Sequence, residues 1–144
     1  MTTTLQEGMA FEFSYEVPPD KTVPHLFPEF PEGDLMPEVL ATGYMVGLFE
    51  FACIKAINPH IDWPRQQTVG IHVHLSHTAA TPPGFTVTVR GRLEKIDGRK
   101  LTFALSAHDG KDTISKGTHE RFIVDAEKFK AAVREKQAWI LSSG

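Results

Sequence analysis

A single acidic side chain lies inside a long apolar stretch of the sequence. Glu50 is the only charged residue between Glu38 and Lys55. If this stretch is helical, the neighbours of Glu50 three, four and seven positions away are all apolar or small, namely Gly43, Val46, Gly47, Cys53, Ile54 and Ile57. A carboxylate on such a face costs free energy unless it is paired or hydrogen-bonded. Glu50 is therefore a candidate for acid–base or nucleophilic chemistry. The alternative is a structural glutamate at the edge of the core whose carboxylate reaches water.

A threonine and a histidine are the natural companions of this carboxylate. Thr42 precedes Glu50 by eight residues, so in a helix the two share one broad side and lie about 12 Å apart along the axis. That separation is too large for a direct contact but suits a substrate lying along the helix. His77 ends a predicted strand in phase with four apolar side chains, so it should point toward the helix. All three side chains are thus expected to face one interior cleft.

Each of these two companions also has a purely structural interpretation. A helical threonine commonly bonds back to a carbonyl four residues earlier, and a histidine at a strand end is often a satisfied structural residue. Alternation puts His77 on the opposite face from His72 and His74, so we predict no zinc site. Cys53 is the only cysteine, which excludes an intrachain disulfide, and it is expected to pack as a small apolar residue.

Hydrophobic periodicity predicts the elements that must position these residues. A half-buried strand is expected over 10–17, followed by a helix from Pro37 to about Ile57. Val69, Ile71, Val73, Leu75 and His77 are expected on one face of the next strand, and Gly70, His72, His74 and Ser76 on the other. Three more strands (85–96, 100–108 and 112–124) and a final helix from Asp125 to about Trp139 complete the pattern.

The segment 20–37, before the helix, is rich in proline and aromatic residues. So many prolines prevent a strand ladder, and the segment is predicted to be an irregular, lid-like loop that covers part of the core or a ligand. Within the helix, Gly43 and Gly47 lower helix propensity. Their usual justification is the close approach of another backbone or of a ligand.

Strand, buried helix and four antiparallel strands in this order predict an α+β chain of the hot-dog architecture, in which a sheet wraps around one long helix. The 144 residues fit a single domain, 1–144. A net charge of −3 with no basic run argues against a nucleic-acid partner, and the apolar stretch is too short and interrupted to cross a membrane. The N-terminus lacks the pattern of a signal peptide, so a cytoplasmic location is expected. Open sheet edges predict dimerisation by strand pairing.

The chain resembles the fluoroacetyl-CoA thioesterase family of hot-dog proteins. The resemblance spans roughly residues 11–135 and is carried by several motifs, chiefly Ala41-Thr-Gly, Met45-Val-Gly-Leu, Glu50, His77-Thr-Ala-Ala-Thr-Pro-Pro-Gly84, Ser106-Ala-His-Asp-Gly110 and Gly117-Thr-His-Glu-Arg121.

This resemblance implies that Thr42, Glu50 and His77 form a catalytic triad. It also aligns Gly70 with a backbone position near the acyl group and Arg121 with an arginine close to the active site. A homodimer with sites near the subunit interface is implied as well.

The lid departs from the family pattern. Fluoroacetyl-selective members carry phenylalanines where this chain has Gly33 and Met36. Phe27 and Phe30 lie nearby and could supply part of the cover. The departure puts fluoroacetyl selectivity in question and leaves the triad intact.

The resulting hypothesis is an acyl-CoA thioesterase for a short acyl group, with fluoroacetyl-CoA or a related small acyl thioester as candidates. His77 would exchange protons with water, while Glu50 either orients that system or attacks the carbonyl. Beyond the triad, the expected substrate-binding residues are Gly43, Gly70, Arg121, Phe27, Phe30 and Met36. No metal or bound cofactor is expected, because coenzyme A is part of the substrate. The alternative is a non-hydrolytic acyl-CoA-binding module on the same fold.

Overall fold

Five antiparallel strands form one sheet in the computed structural model, which describes residues 3–143. The strands are β1 (Ala10–Glu16), β2 (Gln66–Leu75), β3 (Thr86–Asp97), β4 (Lys100–His108) and β5 (Thr113–Asp125). Their order across the sheet is β1-β3-β4-β5-β2, so β1 and β2 are the two edges. The antiparallel sheet predicted from the sequence is thus confirmed. Met1, Thr2 and Gly144, which belong to the predicted domain 1–144, lie outside the described residues.

A long helix, α2 (Thr42–Ile57), packs on the inner face of this sheet. Met45, Phe49 and Cys53 of the helix are completely buried. Alternate residues of β3 and β4 meet them, which is the pattern expected where one face of a sheet is buried and the other is solvated. The helix thus fills the concave side of the sheet, as the sequence predicts.

The predicted start of the helix at Pro37 is wrong by five residues, because α2 begins at Thr42. The preceding residues are not helical, and some of them make backbone bonds to other segments. Val23 N–H donates to the Val39 carbonyl at 3.0 Å, and Leu40 N–H donates to the Thr81 carbonyl at 2.8 Å. These bonds use the groups that an earlier helical turn would need. The predicted end at Ile57 is correct, and one 3₁₀ turn, Asn58–His60, follows.

A bulge in β2 changes the two faces predicted for that strand. The pairing with β5 shifts between Gly70 and His72, so that Ile71 is an extra residue. Gly70 lies opposite Arg121, and Val73 lies opposite His119. Before the bulge the inward positions are therefore even-numbered, and after it they are odd-numbered. The expectation that Gly70 lies on the other face from Val73 is wrong, because a bulge reverses the alternation without leaving a periodicity signal.

The segment before α2 contains short helical turns, which corrects the prediction of an irregular loop. They are Pro19–Lys21, α1 (Val23–Leu26) and Pro31–Leu35, and each has proline in its first turn. Proline suits that position because its missing N–H would have no partner there. Phe27, Phe30, Leu35 and Met36 are at least half exposed. We call 20–37 the lid segment.

The chain ends in α3 (Ala126–Ser143), whose start is as predicted. Asp125 caps it, since its Oδ1 accepts a bond from the Lys128 N–H at 3.0 Å. The helix continues beyond the predicted end at Trp139, and Ala126 is its only buried residue. Across residues 3–143, no helix combines the length and the apolar character needed to span a membrane.

Candidate active site

Thr42 and His77 form a hydrogen-bonded pair at the beginning of α2. The Thr42 Oγ1 lies 2.8 Å from the His77 Nδ1, so the histidine does face the helix. The His77 Nε2 is buried and has no hydrogen-bond partner among the described residues. Burial lowers the pKa of His77 below its ordinary value, and a bond to the Ala79 backbone only partly opposes this. A neutral imidazole of this kind can accept a proton near neutral pH.

The loop that carries His77 is anchored at several points along its length. Thr78 N–H donates to the Ile114 carbonyl at 2.8 Å, and the buried Thr81 hydroxyl donates to Asp109 Oδ2 at 2.8 Å. The bond from Leu40 to Thr81 ties the same loop to the segment just before α2. The motif 77–84 therefore serves to fix the imidazole against the first residue of the helix.

Glu50, two turns further along α2, pairs with a buried arginine. Arg121 Nη1 lies 3.2 Å from Glu50 Oε2, and the side chain of Arg121 is 3% exposed while that of Glu50 is 39% exposed. A buried guanidinium needs such a partner, because an unpaired buried charge is strongly destabilising. The sequence indicated that the Glu50 carboxylate must either have a partner or reach water, and in the structure it does both.

Two residues that sequence reasoning missed hold Arg121 in place. Its Nε donates to the Thr68 hydroxyl at 2.9 Å, and its Nη2 donates to the Thr68 carbonyl at 2.8 Å. Nη1 also lies 3.1 Å from His119 Nε2, and His119 Nδ1 lies 2.8 Å from the His72 carbonyl. Since a carbonyl only accepts, His119 donates from Nδ1 and accepts from Arg121 at Nε2, which requires a neutral ring.

The environment of His119 favours this neutral form. Burial lowers its pKa, the bond to His72 opposes that change, and the nearby Arg121 charge lowers the pKa further. His119 lies two residues before Arg121 on β5, so strand alternation alone places the two side chains on one face. Thr68 reaches Arg121 through the pairing of β2 with β5, which no pattern in the sequence marked.

Gly70 leaves the space that the Glu50 carboxylate occupies. A Cβ at Gly70 would lie 3.0 Å from Glu50 Oε2, 3.2 Å from His119 Cε1 and 3.3 Å from Arg121 Nη1. Any larger residue would therefore push against the ion pair. Gly43 has a different neighbour, because a Cβ there would meet Leu26 Cδ1 of α1 at 3.3 Å.

The Thr42–His77 pair and Glu50 line separate clefts in a single chain. Thr42 and His77 border a cleft of about 290 Å³ together with Val23 of the lid segment, with Val39 and Leu40, and with residues of the 77–84 loop. Glu50 and Gly70 border another of about 280 Å³ at the β2 edge of the sheet. Among residues 3–143, no hydrogen bond joins Glu50 to Thr42 or His77. Their convergence on one substrate remains a prediction.

The lid residues predicted to contact substrate lie outside both clefts in the single chain. Phe27 and Phe30 stack on each other with ring centroids 5.3 Å apart. Both are more than half exposed, and Met36 is 50% exposed. Gly33 is close to the backbone of Pro24, where a Cβ would be in ordinary contact at 3.5 Å. The lid thus presents an apolar surface with no partner among the described residues.

Neither the cysteine nor the remaining histidines suggest another kind of chemistry. Burial raises the pKa of Cys53 to about 12, so this thiol is inert. His72 faces Glu120 at 3.6 Å on the outer face of the sheet. The described part of the chain contains no group of three or more His, Cys, Asp and Glu residues arranged to hold a metal ion.

Comparison with known proteins finds the same fold and the same family. The fluoroacetyl-CoA-specific thioesterase family (FlK) matches residues 22–127. The fluoroacetyl-CoA thioesterase of Streptantibioticus cattleyicolor is 49% identical over 136 residues, covering 94% of this chain and 97% of the relative.

Solved structures agree with this assignment. A structure of the fluoroacetyl-CoA thioesterase FlK superimposes with a TM-score of 0.89 at 50% identity, over 92% of this chain and 97% of that one. A thioesterase superfamily member from Thermus thermophilus has a TM-score of 0.80 at 31% identity, over 94% of this chain and 96% of that one. A hot-dog-like protein from Thermanaerovibrio acidaminovorans, 16% identical with a TM-score of 0.76 over 90% and 91% of the two chains, shares the fold alone. The hot-dog prediction is confirmed, and the chain belongs to the fluoroacetyl-CoA-specific thioesterase family.

Proposed function

We propose that this protein hydrolyses the thioester of a small acyl-CoA. The observation that carries the proposal is the pair of contacts along one side of α2, with Thr42 on His77 at one end and Glu50 on Arg121 two turns away. Related structures support the substrate class, because variants of FlK have been solved with acetyl-CoA and with fluoroacetate and CoA. Family membership supports the reaction type.

The reaction adds water to the thioester carbonyl and releases a carboxylate and a thiol. In the proposed mechanism, neutral His77 accepts a proton from the attacking water and later returns it to the departing sulfur. Thr42 orients the imidazole through its hydroxyl. The free backbone N–H groups of the first turn of α2, including that of Gly43, stabilise the negative charge that develops on the carbonyl oxygen.

Glu50 has one carboxylate oxygen committed to Arg121 and the other without a donor among the described residues. The free oxygen would either orient the water and His77 or attack the carbonyl to give a transient anhydride. Gly70 is compatible with both roles of Glu50, because its lack of a side chain leaves the carboxylate accessible from the β2 side. Arg121 acts by holding Glu50 in place.

A homodimer formed at the β2 edge would complete this site. β2 is an edge strand, and Ile71 and Val73 on it are 51% and 41% exposed. The Glu50 cleft is bordered by these same two residues. A second copy paired along β2 would cover the exposed apolar side chains and roof the cleft, which would exclude water from the reacting carbonyl.

The lid determines which small acyl group is preferred. Gly33 and Met36 replace phenylalanines of fluoroacetyl-selective relatives, so we propose that this chain discriminates fluoroacetyl-CoA from acetyl-CoA less strongly than they do. No metal or bound cofactor takes part in the proposed mechanism. An acyl-CoA substrate is consistent with a cytoplasmic location of the enzyme.

Thiol release from acetyl-, propionyl- and fluoroacetyl-CoA tests this function. We expect turnover of all three, with loss of at least about a hundredfold in kcat for Glu50→Gln and for His77→Ala. Full activity of both variants would contradict the assignment. Tight calorimetric binding of intact acyl-CoA without thiol release would instead favour the acyl-CoA-binding module.

A further inference from the structure

A third cleft lies between α2 and β1, on the other flank of the central helix. It has a volume of about 310 Å³ and is lined by Phe13, Tyr15, Lys21, Leu40, Tyr44, Gly47, Leu48, Phe51 and Lys55. Its walls are mainly aromatic and aliphatic. The volume lies at the small end of the range found for sites that bind small molecules.

This cleft is distinct from the candidate active site. At about 100° per residue, the helix positions that line it occupy a sector of about 100°, and Thr42 and Glu50 project more than about 100° from the middle of that sector. The cleft adjoins the β1 edge of the sheet, whereas the Glu50 cleft adjoins the β2 edge. Leu40 borders both this cleft and the Thr42–His77 cleft, but it is 1% exposed and forms the wall between them.

Two lysines stand at this cleft without an acidic partner. The ammonium of Lys21 lies 5.1 Å from the centre of the Tyr44 ring, and that of Lys55 lies 5.9 Å from the centre of the Phe13 ring. Of the ion pairs formed within residues 3–143, none involves Lys21 or Lys55. The aromatic walls thus hold two positive charges beside an apolar space, which complements an anion with an apolar body.

Gly47 points to the same conclusion. A glycine in the middle of a helix costs about 1 kcal/mol relative to alanine, so it usually makes room for something. Gly43 makes room for Leu26, but a Cβ at Gly47 would meet nothing within 4 Å. The space that Gly47 leaves open is this cleft, and no described side chain fills it.

We propose that the cleft between α2 and β1 binds a carboxylate with an aliphatic or aromatic body, at a site separate from that of thioester hydrolysis. The body lies along α2 against Tyr15, Leu48 and Phe51 and passes over Gly47. The carboxylate meets one of the lysine ammonium groups. Tyr44 and Lys55 are eleven residues apart, or about 16 Å along the axis, so the two charges mark opposite ends of the site.

Calorimetric titration with decanoate, below its aggregation concentration, tests this site. We expect saturable binding to the full-length protein that weakens at least about tenfold in Gly47→Leu, because the new side chain fills the cleft. Gly47→Ala is the matched control and should bind nearly as the parent does. Lys21→Met and Lys55→Met should each weaken the binding of decanoate. The substitution that removes the lysine in contact with the carboxylate should weaken it by about three- to fivefold.

Further measurements separate the site from its alternatives. Decylamine has the same body with the opposite charge, and we expect it not to bind. Gly47→Leu should hydrolyse acyl-CoA within about twofold of the parent rate and keep its circular dichroism spectrum. The proposal would be overturned if decanoate did not bind saturably or if Gly47→Leu left its binding unchanged. Equally strong binding of decylamine would also overturn it. A lower mass of Gly47→Leu in sedimentation would mark the cleft as a contact between copies and also overturn it.

Discussion

At the scale of single residues, the site depends on small distances around one carboxylate. Glu50 Oε2, Arg121 Nη1 and His119 Nε2 form a chain of contacts of 3.2 and 3.1 Å, and Gly70 closes it on the strand side. The sequence indicated that Glu50 needs a partner, and the family resemblance indicated Arg121. Alternation along β5 could have paired His119 with Arg121, because the two are two residues apart on that strand. Thr68 could not be found in this way, because its contact depends on the register between β2 and β5.

Gly70→Ala tests whether the position of the carboxylate matters. A methyl group 3.0 Å from Glu50 Oε2 must displace the carboxylate or the strand, and a displacement of this kind in an active site lowers kcat by about ten- to a hundredfold. Gly47→Ala is the control on the same scale, since its methyl group enters open space. Steady-state thiol release measures both. Equal rates for the two variants would show that the Gly70 position has no part in the reaction.

The pH dependence of kcat/KM tests the role of His77. Its pKa lies below the ordinary value of 6.5, so the ring is neutral, and able to accept a proton, at lower pH than an exposed histidine. We expect kcat/KM to rise with pH and to reach half of its plateau below pH 6.5. A half-maximum clearly above 6.5 would contradict a neutral His77 as the base. Circular dichroism over the same range separates titration from unfolding.

At the scale of elements, the central helix supports both the core and the site. Its predicted end was correct because Pro59 and the apolar pattern mark it locally, whereas its predicted start was not. Pro37 is compatible with a first helical turn, but the backbone groups of Val39 and Leu40 are hydrogen-bonded to distant segments of the chain. The prediction for the lid segment was also correct only in part. Its prolines do exclude a strand, but they also begin short helical turns that were not predicted.

Phe49→Ala tests how far the helix depends on burial. Phe49 is 0% exposed, so its truncation should lower the free energy of unfolding by about 3 to 5 kcal/mol. Phe51, two residues later in the same helix, is 58% exposed, and Phe51→Ala should cost less than about 1 kcal/mol. Urea unfolding followed by circular dichroism measures both. Similar losses for the two variants would mean that Phe51 is covered in the assembled protein.

At the scale of the whole molecule, the order of elements and the wrapping of the sheet around α2 were predictable from hydrophobic alternation and turn signals. The separation of the Thr42–His77 cleft from the Glu50 cleft could not be predicted. Helical spacing put Thr42 and Glu50 on one side of α2, but which strand meets each residue depends on the sheet topology. The exposed apolar side chains of β2 suggest that the site is completed by a second copy of the chain.

Val73→Lys tests this assembly. Val73 is 41% exposed on the edge strand, and a charge there disfavours pairing along β2. We expect sedimentation to change from a dimer to a monomer and thiol release to fall at least about tenfold. Val133→Lys, at a site of similar exposure on α3, should leave both unchanged. A Val73→Lys variant with the parent mass and rate would contradict dimerisation through this edge.

The most direct test of the account is whether Glu50 and His77 act on the same thioester. Single-turnover thiol release would be measured for Glu50→Gln, His77→Ala and the double variant with one acyl-CoA. Residues that act as a unit are strongly non-additive, so the double variant should be about as slow as the slower single variant. Losses that simply multiply, as for two independent sites, would contradict the shared site.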